Sequence, residues 1–124
     1  MTPESGQGLR GGELNAALTS ALVGIHNDHM GRGPRSAYSF HHEDVVVTVM
    51  NNVLTKAERT LAETGAGLQV AQTRHLYQEA MRPDFTTAVE RLTGRKVIAF
   101  VSGNNLDPDI AVEMFFLDED PTAN

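Results

Sequence analysis

Val53-Leu54-Thr55-Lys56-Ala57-Glu58-Arg59-Thr60-Leu61-Ala62 and Leu92-Thr93-Gly94-Arg95-Lys96-Val97-Ile98-Ala99-Phe100 decide the fold of this chain, because each marks a junction between a strand and a helix. In the first, Thr55 followed three residues later by Glu58 fits a capping box, in which the Thr hydroxyl and the Glu carboxylate satisfy free backbone N–H groups at a helix start. In the second, Gly94 after Arg91-Leu92-Thr93 fits a helix C-terminal glycine, which reaches left-handed dihedrals without a Cβ clash.

Working outward, a first helix is predicted from about Gly12 to Met30. Leu14, Leu18, Ala21, Leu22 and Ile25 fall on one helical face, and Gly31 followed by Gly33-Pro34 ends the helix. Two short strands follow, Ser36–His41 and Asp44–Met50, joined tightly around His42-Glu43 as a hairpin. The helix behind the capping box covers Lys56 to Glu63 and stops at Gly65-Ala66-Gly67. A long helix then starts near Leu68, with Val70, Tyr77, Met81, Phe85, Ala88, Val89 and Leu92 on one face. Pro83 cannot donate to the carbonyl of Glu79, so a kink or a break is expected there. Strands Lys96–Ser102 and Asp109–Leu117 close the chain, linked by the turn formers Gly103 to Pro108.

The order α-β-β-α-α-β-β predicts an α+β two-layer sandwich, a four-stranded antiparallel sheet with helices on one face and a long helix kinked at Pro83. Residues 1–11 read as a flexible tail, 12–117 as one domain, and 118–124 as a short acidic tail. The strands are apolar on both faces, which one layer of helices does not cover. Val45, Val47, Val49, Phe115 and Leu117 are therefore expected on a second sheet face that meets another copy, a partner, or the short Lys56–Glu63 helix folded round the edge.

Composition bounds the function. At 124 residues the chain is long enough to bury about two-thirds of its unfolded surface. It has no Cys, which excludes disulfides, thiolate metal sites and cysteine nucleophiles and fits a reducing cytosol. The start Met1-Thr2-Pro3-Glu4-Ser5 lacks the basic and apolar regions of a secretory signal, and no apolar run approaches the ~20 residues that span a bilayer. The net charge of −6 disfavours nucleic acid and anionic lipid as partners.

Candidate chemistry is sparse. His26 and His29, at i and i+3, together with His41-His42-Glu43-Asp44, offer ligand types suited to Zn or Fe. Adjacent strand residues point in opposite directions, however, so His41 and His42 do not share one ion, and no metal or cofactor is expected. Gly31-Arg32-Gly33-Pro34-Arg35 combines glycines and arginines, but it follows a helix C-terminus, where the dipole repels anions, and lacks the spacing and Lys of a P-loop. It reads first as a cap and turn. The Arg32/Arg35 pair is the remaining candidate grip for a carboxylate or phosphate. Ser36, Ser39 and Ser102 lack a nucleophile-elbow motif, and Asp107 and Asp109 are explained by turn chemistry. No catalytic residue is assigned.

Taken in order, Gly31-Arg32-Gly33-Pro34, the apolar strand after it, Leu54-Thr55-x-Ala57-Glu58-x-x-Leu61, Arg82-Pro83, Leu92-Thr93-Gly94-Arg95-Lys96-Val97 and Val112-Glu113-x-Phe115 resemble the MpsC-like family of small bacterial proteins. The match runs from about Glu13 to Leu117. The resemblance implies a cytoplasmic domain associated with a sodium-translocating, membrane-potential-generating system, and it carries over no catalytic residue. The expectation is a non-enzymatic binding or regulatory module, homo-oligomeric, with a membrane-transport protein (for ions or inorganic carbon) as a further partner and no direct membrane insertion. The alternative is a small-ligand or metal-binding protein using the Arg32/Arg35 loop or His26, His29, His41 and His42.

Overall fold

Two antiparallel strand pairs and two long helices alternate along the chain in the computed structural model, which describes residues 9–119. They are helix α1 (Gly11–Met30), strands β1 (Ser36–His42) and β2 (Val45–Asn51), helix α2 (Lys56–Leu61), a wide helical turn Ala62–Ala66, helix α3 (Gly67–Thr93), and strands β3 (Val97–Asn105) and β4 (Ile110–Leu117). The four strands form one antiparallel sheet in the order β1-β2-β4-β3, so β2 and β4 are central. The helices pack side by side on one face, α1 over β1 and β2 and α3 over β3. This is the expected α+β sandwich. Leu9, Arg10 and Gly11 are the described part of the predicted N-terminal tail; Leu9 packs against the core and Gly11 opens α1. The acidic residues from Asp120 onward lie outside the described residues.

Both junctions are built as the sequence predicts. Thr55 Oγ1 accepts the Glu58 N–H at 3.1 Å, while Glu58 Oε1 accepts the Thr55 N–H at 2.8 Å, completing the capping box. At the end of α3, Gly94 takes φ 72° and its N–H bonds the Glu90 carbonyl at 2.9 Å. Gly31 closes α1 in the same way, at φ 78°. Pro83 lies inside α3, which continues through it as one element, so of the two outcomes expected there the break does not occur. The helical path leaves helical dihedrals earlier, at Thr64 and Gly65, where Gly65 has φ 98° and turns α2 into α3.

The core sits between helices and sheet. Leu14, Leu18 and Leu22 of α1 meet Met81, Phe85 and Val89 of α3 above Val46, Met50 and Phe115. Phe85, Phe100 and Phe115 form an aromatic cluster with ring centroids 5.1–6.4 Å apart. Two positions on α3 depart from the predicted stripe. Tyr77 is 45% exposed, while Arg74 and Gln78, one turn apart, take the buried face. An apolar template passes over these two, because their burial depends on polar partners from other elements, Glu58 of α2 for Arg74 and Glu113 of β4 for Gln78.

Thr55→Ala leaves the Glu58 N–H without its acceptor, and we expect a loss of about 0.5–2 kcal/mol, read as a lower urea midpoint at unchanged slope. Leu22→Ala, at a fully buried site, should cost about 2–5 kcal/mol in the same assay.

Candidate functional site: an uncharged sheet face and a helix–strand groove

Strand register assigns every side chain to a face. Val45 pairs with Phe116, Val47 with Met114 and Val49 with Val112, so these residues share the face away from the helices. On β1 the same face carries Tyr38 and Phe40, opposite Val49 and Val47. On β3 it carries Ala99 and Val101, opposite Phe116 and Met114. Phe115 and Leu117, expected on this face with the valines, belong to the other one. Phe115 pairs with Val46, and both Phe115 and Leu117 are buried in the helix-covered core. Alternation within each strand was read correctly, but the offset between β2 and β4 pairs odd positions of one with even positions of the other.

Tyr38, Phe40 and Val101 are each about half exposed, at 54%, 46% and 53%. Between them Val47 is buried, and Val45, Val49, Val112, Met114 and Phe116 are half-buried. No Asp, Glu, Lys or Arg stands at any paired position of this face, although 21% of the chain is charged. Ser36 and Asn51 close one end with polar groups, and His42 closes the other. A charge-free apolar centre with a polar border has the anatomy of an interface.

Where α1 crosses β1, an open groove of about 580 Å³ lies between Asn15, Thr19 and Ser20 on the helix and Arg35, Ser36, Tyr38 and Ser39 on the strand side. Arg35 is exposed at its rim and makes no side-chain hydrogen bond among the described residues. Arg32, its predicted partner, is occupied elsewhere. Its guanidinium donates to the carbonyls of Leu54 at 2.7 Å and Asn52 at 3.1 Å, fastening the β2–α2 link to the end of α1. Asp109 secures the same link by accepting the Leu54 N–H at 2.9 Å.

The four candidate histidines are not brought together. His26 is buried and its Nδ1–H donates to the Arg32 carbonyl at 3.1 Å. Burial, and then the nearby Arg74 charge, hold its pKa below the usual imidazole value. His29 donates from Nε2 to Asp84 at 2.9 Å, and His41 from Nδ1 to Asn15 at 2.6 Å. His42 is exposed on the opposite side of the sheet from His41. Among the described residues no group of three or more His, Asp or Glu side chains is placed to hold a metal ion.

Sequence reasoning missed two arrangements. Arg95 bridges the β1–β2 turn to the end of β4: it contacts Asp44 Oδ1 at 2.6 Å, the Glu43 carbonyl at 3.1 Å and the Asp118 carbonyl. The second is a buried polar cluster around Glu113. Val-Glu-Met within an apolar strand was its only local signal.

The fold and site together define a class of α+β domain: an antiparallel sheet with one helical layer and one charge-free face. The chain belongs to the MpsC family: the model of that family, described as "Na+-translocating membrane potential-generating system (MpsC)", matches residues 10–119. No curated protein and no solved structure is significantly similar to it. Among the described residues no helix is long and apolar enough to cross a membrane.

The roles of the two arginines separate on mutation. Arg32→Ala removes charge-assisted bonds to two carbonyls and should lower stability by about 1.5–3 kcal/mol. Arg35→Ala, at an exposed rim, should stay within about 0.5 kcal/mol of the parent in urea denaturation.

Proposed function

We propose that this protein is a non-enzymatic binding or regulatory module that works as a homodimer through its open sheet face, in association with a membrane-potential-generating system. The family membership supports the association. The charge-free face supports the dimer.

Four strands spaced about 4.8 Å apart, each about seven residues long, give a face of roughly 440 Å² in projection. Two such faces together supply roughly 900 Å² before side-chain relief is counted, close to the ~1,000 Å² that a specific interface needs. Only an occupant of similar extent covers it fully, and a second copy provides a matching sheet. A chain of net charge −6 ordinarily opposes its own association. Here the repelling charges lie off the contact, so pairing desolvates none of them.

Sedimentation velocity at micromolar concentrations should show a concentration-dependent dimer. Met114→Lys, which puts one charge at the centre of the face, should weaken dimerisation by at least tenfold while the far-UV spectrum stays that of the parent. A monomer at all concentrations, or a dimer indifferent to Met114→Lys, would overturn the reading.

The α1–β1 groove favours a second reading as a small-anion site, since its volume is of ligand size and Arg35 is unengaged at its rim. A thermal-shift screen with phosphate and small carboxylates should then raise the melting temperature of the parent and not of Arg35→Ala. No shift with any of them rejects this reading.

A further inference from the structure

On the helix-covered side of the sheet, each strand places one polar residue at the same level. Ser39, Thr48, Glu113 and Ser102 are successive cross-strand partners from β1 to β3. Thr48 and Glu113 are among the most buried side chains of the protein, at 0% and 1% exposure. A polar row through an apolar core costs desolvation free energy unless it is fully bonded, and this one is not.

Its β1 end and its contact with α3 are well made. Thr19 Oγ1 of α1 lies 2.7 Å from Ser39 Oγ, which lies 2.7 Å from Thr48 Oγ1, and Thr19 and Ser39 both line the α1–β1 groove. From α3, Gln78 Nε2 donates to Glu113 Oε2 at 2.9 Å, and Gln78 Oε1 accepts from Asn104 at 2.7 Å. The rest of the row is open: among the described residues Glu113 Oε1 and Ser102 Oγ, at the β3 end, have no hydrogen-bond partner. A carboxylate offers about four acceptor positions. One donor therefore leaves the ionised form underbonded, whereas a neutral carboxyl needs far less.

We propose that Glu113 is a proton-binding site at the centre of the fold, joined to the α1–β1 groove by the Thr19–Ser39–Thr48 hydroxyl chain. The bond that forms and breaks is Oε1–H, and the proton comes from and returns to water in the groove. Thr48 Oγ1 is not hydrogen-bonded to Oε1. Side chains of cross-strand partners start about 4.5–5.5 Å apart at Cβ, a gap that a Glu113 rotation or one water closes.

The charged groups facing Glu113 are few. The strands present the hydroxyls of Ser39, Thr48 and Ser102 and the Asn104 amide, with His41 two residues along β1 on the same side. From α3 come Arg74, one turn before Gln78 on the same face, and Glu79. Glu58 of α2 and His26 of α1 stand behind Arg74. Burial pushes the Glu113 pKa up from 4.5 to about 8. The Gln78 hydrogen bond and the Arg74 charge pull it down, and Glu79 adds a smaller upward push. When Glu113 ionises, Arg74 is its nearest counter-charge. Arg74 Nε now lies 3.7 Å from Glu58 Oε2, the carboxylate whose other oxygen caps α2. Proton release thereby competes for the cation that steadies the start of α2.

The sign of the linkage is set by the raised value. Between pH 4.5 and about 8 the unfolded chain has released a proton that the folded chain still holds. Stability is favoured at the low end, falls as pH rises through that window, and levels off above it.

Carboxyl-carbon NMR of the full chain labelled on glutamate tests the site directly. One Glu signal should titrate at least two pH units above the others and be missing from Glu113→Gln. In denaturant titrations, Glu113→Gln should also lack the parent's one-proton decline in stability across the window. Thr48→Val, which keeps the shape and removes the hydroxyl, should move the Glu113 midpoint further up. A Glu113 signal titrating with the surface carboxylates overturns the site, and a midpoint unmoved by Thr48→Val overturns its link to the hydroxyl chain. Neither readout depends on dimerisation, so failure here leaves the proposed interface standing.

Discussion

The antiparallel pairing of β2 with β4 is the constraint on which the rest of this structure depends. These are the two central strands, and the offset that sets Thr48 against Glu113 also sets Val46 against Phe115 and Val47 against Met114. Because side chains alternate with a period of two, shifting that offset by one residue would exchange the faces of every residue on β4 relative to β2. Phe115 would leave the aromatic cluster, and Glu113 would sit among valines without Gln78. Few alternatives compete with a register that is penalised on both faces at once.

A sheet this apolar on both sides normally has helices on both sides. Here both long helices go to one side, because the links leave no other route. The wide turn at Ala62–Ala66 carries the chain straight from α2 into α3, and Arg32 and Asp109 hold the β2–α2 link against the end of α1. The second face is left without a helical layer among the described residues. Its lack of charge distinguishes it from an ordinary solvated sheet face, where alternation would place Lys, Glu or Thr between the apolar residues.

How much of this was legible in the sequence follows from the range of each interaction. The capping box at Thr55–Glu58 and the caps at Gly31 and Gly94 are set by residues within four positions of one another, and they were read correctly. Alternation along β2 and β4 was legible too. The offset between those strands was not, because it depends on residues more than sixty positions apart, and that displaced Phe115 and Leu117 to the wrong face. Tyr77 was preferred to Arg74 and Gln78 for a related reason, since their burial is licensed by polar partners on other elements, Glu58 of α2 for Arg74 and Glu113 of β4 for Gln78. Gly103 to Asn105 are turn formers by propensity, yet they pair with Val112 to Ile110 and extend β3, because ladder partners outweigh a weak local preference. Arg32 looked like an anion grip because the sequence alone does not reveal which carbonyls fold back to meet it.

The two proposals for this protein meet on β4. Glu113 projects into the core, and its neighbours Val112 and Met114 lie on the open face, so one short run of backbone serves both. A conformational effect confined to Glu113 would have little leverage on the far side of a hydrogen-bonded sheet, since paired strands resist bending across their ladder. The route with more freedom runs the other way, through Arg74 to Glu58 and α2. That segment buries no residue of its own, and its attachment is a capping box, a few polar contacts and the turn at Gly65. Elements with few buried contacts open at the lowest free energy. A change of charge in the core should therefore be expressed at α2, while the sheet and its open face keep their geometry.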